Sequence, residues 1–104
     1  MSARDNPSAM ALVDRYLDLV NRQLPEAVKD DSRYPVRLNH CFARIVLDTL
    51  CGGEWYQHIS KPAYKHTTER QLQEAIALGH QFLANPQACV DANQASLQYR
   101  GKGK

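Results

Sequence analysis

The sequence has no apolar run long enough to cross a membrane, and Asp5, Asp14 and Asp18 interrupt the N-terminal stretch where a signal peptide would be continuous. A mature chain beginning at Met1 and no membrane partner are expected. Cysteine is scarce: Cys41, Cys51 and Cys89 are odd in number and lack paired spacing. That argues against a secreted disulfide framework and for a reducing, cytoplasmic setting. Neither sign of charge dominates, since thirteen Lys plus Arg face eleven Asp plus Glu for a net +2. This is far from the strongly basic balance of a DNA-coating protein. There is no Walker-type loop, no G-x-G-x-x-G, no G-x-S-x-G and no zinc-finger pattern, so the common nucleotide-hydrolysing and hydrolase classes lack their signatures. No internal repeat is visible.

What is present is the composition of one small domain: 104 residues, 43% hydrophobic and 23% charged. Met10, Val13, Tyr16, Leu17, Val20 and Leu24 share one arc at helical pitch, which predicts an amphipathic helix capped by Asn6 or Ser8. Pro25 either stops it or opens a short continuation to Lys29. After a polar loop ending at Pro35, Val36 to Cys51 places apolar residues around about 240° of a helix. It reads as the central, most buried helix, closed by Gly52 and Gly53. A third helix starts after Thr68, whose spacing to Gln71 matches a capping box. A fourth starts at Pro86 with Asn85 as its cap and reaches Tyr99. The expected architecture is a single all-α domain over residues 1–99. It has four main helices and a long irregular connector between the central and third helices, followed by a flexible basic tail at 100–104. Orthogonal and up-and-down packing both remain open.

Two features carry candidate chemistry. Arg37, His40, Arg44 and Asp48, spaced by three, four and four residues, form one polar stripe along the central helix. Facing a cleft, its guanidiniums and imidazole would suit phosphate or carboxylate oxygens; facing solvent, it is a hydrated surface with an Arg44–Asp48 pair. In the connector, Trp55, Tyr56, Lys61, Tyr64, Lys65 and His66, with His58 among them, interleave aromatic and cationic groups, as a surface for nucleotides or single strands would. Equally, Trp55 can plug the core while the cations form a solvated rim.

His40, Cys41, Cys51, His58 and His66 lack the close pairs of a metal site, so neither metal nor cofactor is expected. His40 and Cys41 are neighbours, about 100° apart on a helix, and cannot pair directly as base and nucleophile. No complete catalytic set is visible. The leading expectation is a binding module for an anionic partner, whether nucleic acid, a nucleotide or an acidic protein surface. The alternatives are a small His/Cys enzyme with an Arg-bound anionic substrate, and a structural protein that forms homo-oligomers.

Overall fold

The computed structural model describes the backbone of residues 7–101 and the side chains of residues 10–63 and 65–101. The first apolar arc folds as α1 (Pro7–Asp18), which passes through a π-helical turn (Leu19–Gln23) into α2 (Leu24–Val28). Pro25 supplies a physical reason for the π turn. Proline has no N–H to donate, and within a regular helix its ring collides with the carbonyl four residues back, here that of Asn21. In the wider turn the Leu24 N–H bonds instead to Leu19 O, five residues back. The helix therefore continues past the proline, and Leu19, Val20, Leu24 and Val28 are all buried. Met10, expected on the buried arc, is exposed. The proposed cap Asn6 lies outside the described residues.

The central helix, α3 (Asn39–Cys51), is shorter at its start than the periodicity predicts. Leu38 is extended and 58% exposed, and Val36 and Arg37 precede the helix. Arg37 holds this approach segment elsewhere: its Nη1 donates to Val28 O (2.7 Å) and Asp31 O (3.0 Å), covering carbonyls where α2 ends. Nearby, Tyr34 donates its hydroxyl to Phe82 O at 2.6 Å, with Leu83 O at 3.1 Å. The loop is thus tied to the C-terminal end of the third main helix. Phe42, Ile45 and Val46 are fully buried on α3, and Gly52 closes it in the left-handed region at φ 67°.

The connector holds a 3-10 turn at Trp55–Gln57 and the single-turn α4 (Ala63–His66). The long helix α5 (Glu69–Ala84) begins at a complete capping box: Gln71 N–H donates to Thr68 Oγ1, and Thr68 N–H to Gln71 Oε1. Asn85 then caps α6 (Pro86–Tyr99) by accepting from Gln87 N–H. The chain is therefore all-α, with four main helical units and no strand among the described residues. α3 packs against the π turn, α2, α5 and α6, and α1 packs against α5. The radius of gyration, 13.2 Å, matches the ~13 Å of a hundred-residue globule. Among the described residues no helix is long and apolar enough to cross a membrane.

Two substitutions test this packing by urea denaturation. Phe42→Ala removes a fully buried ring at the centre of α3 and is expected to cost about 3–5 kcal/mol. Gly79→Ala should also destabilise, although alanine is the better helix former by about 1 kcal/mol. A Cβ at Gly79 would overlap Leu19 Cδ2 and crowd Cγ, so the buried Leu19 side chain would have to leave its packed position. An unchanged unfolding midpoint in either variant would contradict the packing.

Candidate functional site

The polar stripe does not act as one surface. Arg37 lies before α3 and grips the carbonyls described above, while His40 stands exposed in the first turn. Arg44 turns toward α6, donating to Ser96 Oγ and Asn93 Oδ1, both at 2.8 Å. Asp48 is fully buried. Instead of a cleft or solvent, the lower half of the stripe meets α6, which buries Asn93 and Ser96 beside Cys89. No i,i+4 ion pair joins Arg44 and Asp48; Ser96 stands between them, accepting from Arg44 and donating to Asp48 Oδ2 at 2.6 Å.

Asp48 accepts four hydrogen bonds. Oδ1 accepts from Trp55 N–H (3.0 Å) and Arg100 Nη2 (3.0 Å), and Oδ2 accepts from Ser96 Oγ and Arg100 Nε (2.8 Å). Four donors match the capacity of an ionised carboxylate. Burial pushes the Asp48 carboxyl up, but hydrogen bonds from Arg100, Ser96 and Trp55, aided by the guanidinium charge, outweigh it and leave it below the usual range. The sequence expectation puts Arg100 in a flexible tail; in the structure it is held against Asp48 instead. Its forked pair with Asp48 anchors the end of α6, and its guanidinium carbon also lies 5.2 Å from the Tyr56 ring centre. Residues 102–104 of the expected tail lie outside the described residues.

The connector lies across a different feature. A groove of about 360 Å³ is lined by Tyr16, Leu17 and Val20 on one side and by Ala43 and Leu47 of α3 on another. Trp55, Pro62 and Ala63 complete its apolar wall, and Asn21 and Lys61 supply its polar edge. Asn39 Nδ2 donates to Asn21 Oδ1, joining α3 to the π turn. Tyr16 is 3% exposed, and its hydroxyl makes no hydrogen bond among the described residues; burial raises its pKa above the ordinary phenol value. Lys61 Nζ lies 5.1 Å from the Tyr56 ring centre, and Tyr56 meets Trp55 edge to face at 5.9 Å.

Of the sequence candidates, the structure brings Trp55 and Lys61 to the groove and leaves Arg37, His40 and Arg44 outside its lining. His58 and His66 are exposed on the connector, and Lys65 is half-buried in α4; the Tyr64 side chain is outside the described residues. Of the apolar arc read from the sequence, Tyr16 and Val20 are buried as expected, whereas Leu17 is only half-buried beside the groove, a difference that periodicity alone does not mark. Burial raises the Cys89 thiol to about 11 and also pushes Cys51 up, the opposite of what nucleophile activation requires.

No protein-family model, curated protein or solved structure matches the chain.

The Asp48 cluster predicts a pH-dependent stability. A carboxyl whose pKa is lowered by folding stabilises the fold above its unfolded value, near 4, and loses that contribution as pH falls through its folded value. Asp48→Ala should therefore cost about 3 kcal/mol in urea unfolding at pH 7. The difference from the parent chain should shrink as the pH falls below about 4. A gap that stays constant down to pH 2 would show that the carboxylate charge is not what matters.

Proposed function

We propose that the chain is a non-catalytic recognition module that takes an acidic, amphipathic segment of a partner protein in the groove beneath the connector. The observation that carries this reading is the pairing of an apolar groove with a cation at its edge: Trp55, Leu17, Ala43 and Pro62 offer the apolar contact, and Lys61 the charge. An amphipathic segment supplies both complements, apolar residues for the groove and a carboxylate for the ammonium. The volume, about 360 Å³, falls in the range of ligand-binding clefts.

Nucleic acid is the less favoured occupant. Phosphate binding draws on several available cations at once, whereas Arg37, Arg44 and Arg100 are engaged with carbonyls, with Ser96 and Asn93, and with Asp48. Lys61, His58 and His66 remain at the connector surface, which makes a single-stranded oligonucleotide the proper comparison in a binding test.

Trp55 is the only tryptophan and lines the groove, so its emission reports occupancy directly. A synthetic helical peptide with Leu and Phe on one face and Glu on the other should produce a saturable change, weakened by added salt. Lys61→Glu should weaken the peptide by about fivefold, the scale of one surface charge contact. Ala43→Glu, which puts a charge in the groove, should abolish the change. Absence of a response to the peptide, or a saturable response to an oligothymidine alone, overturns the proposal.

A further inference from the structure

The connector joins two helices of the core through glycines, a proline and two short helical turns, whose backbone hydrogen bonds among the described residues are all local. Yet it carries Trp55 and Lys61, which must be held in place if the groove is to have a defined shape. Four contacts close a ring around this segment. Arg100 grips Asp48 through both oxygens, at 2.8 and 3.0 Å. Asp48 accepts from Trp55 N–H at 3.0 Å. The Trp55 ring meets Tyr56 edge-on, and Tyr56 lies 5.2 Å from the Arg100 guanidinium carbon. Lys61 approaches the same Tyr56 ring at 5.1 Å. The ring thus spans α3, the connector and the residue that follows α6, although Arg100 and Asp48 are 52 residues apart in sequence.

We infer that Arg100 is the positioning residue of the groove: through Asp48 and Tyr56 it fixes the connector so that Trp55 and Lys61 face a bound segment. Arg100 lines no part of the groove itself, so its effect on recognition is indirect. Guanidinium is the group suited to this place. Its planar fork spans both carboxylate oxygens while a flat face remains for the Tyr56 ring, which a lysine ammonium cannot match. The α6 C-terminus is thereby coupled to the recognition surface. This inference rests on the proposed function only for its binding arm.

The test compares the parent chain with Arg100→Ala, Arg100→Lys and the double variant Asp48→Asn/Arg100→Leu. The double variant leaves no uncompensated buried carboxylate and so guards against simple failure to fold. Amide hydrogen exchange over Trp55 to Ala63 is expected to accelerate by about tenfold or more in Arg100→Ala and in the double variant, with α5 amides from Leu72 to Phe82 unchanged. Trp55 emission should shift to the red in both, and the Glu/Leu/Phe peptide should bind about tenfold more weakly. Arg100→Lys should recover part of each effect. Arg70→Ala, on the exposed side of α5, should change none of them.

Acceleration that is uniform across α5 and the connector would mark Arg100 as a general stabiliser and overturn the inference, as would an unchanged connector. A loosened connector with unchanged peptide affinity would overturn the positioning role while leaving the groove as the recognition surface. If the parent chain does not bind the peptide, the proposed function fails, and exchange and emission alone decide whether Arg100 shapes the groove.

Discussion

A single buried negative charge constrains this fold more than any other group. Removing a carboxylate from water costs several kcal/mol unless donors replace its hydration. Asp48 meets that demand with four donors from three residues in two parts of the chain: the backbone of Trp55 in the connector, and the hydroxyl of Ser96 and the guanidinium of Arg100 at the end of α6. Apolar contact between α3 and α6 would tolerate some sliding, because dispersion has little directional preference. Hydrogen bonds to one carboxylate do not, so the charge sets how α6 lies on α3 and where the connector starts. Arg44 extends the same network through Ser96 to Asn93, which makes the α3–α6 contact polar at its centre.

Much of the architecture is legible in the sequence because it rests on local signals. Apolar spacing marks the helices, the Thr68/Gln71 pair and Asn85 mark two starts, and Gly52 marks a stop by its left-handed backbone. The start of α3 is less legible: Leu38 continues the apolar pattern, but Arg37 reaches back to the carbonyls at the end of α2, and the residues before Asn39 stay out of the helix. The candidate site is legible only in fragments. Trp55 and Lys61 stand out by residue type, whereas the rest of the groove uses apolar residues indistinguishable from core. Arg100 reads as tail because it is followed by glycine and lysine, and nothing nearby in sequence points to a carboxylate 52 residues earlier.

The same distinction separates charge as composition from charge as surface. A count of arginines suggests a basic face, but Arg22, Arg33 and Arg70 pair with neighbouring carboxylates, and three more serve the fold's own carbonyls, side chains and buried acid. Arg33 holds the half-buried Asp31 carboxyl at about 2 through side-chain and backbone hydrogen bonds within the loop. What is offered outward at the connector is lysine and histidine beside aromatic rings. That is a milder surface, and it lies next to an apolar one.

The π turn has a consequence for how the first helix meets the core. Residues four apart on an α-helix drift by about 40° at each step, so a long row of them winds off any fixed face unless some steps are three. Tyr16, Val20, Leu24 and Val28 are spaced by four throughout, and all are buried. The widened turn between Val20 and Leu24 gives back part of the accumulated rotation and acts as a vernier on the row. The residue that makes room for Pro25 also keeps α2 in phase with α1, so backbone relief and side-chain register come from one irregularity.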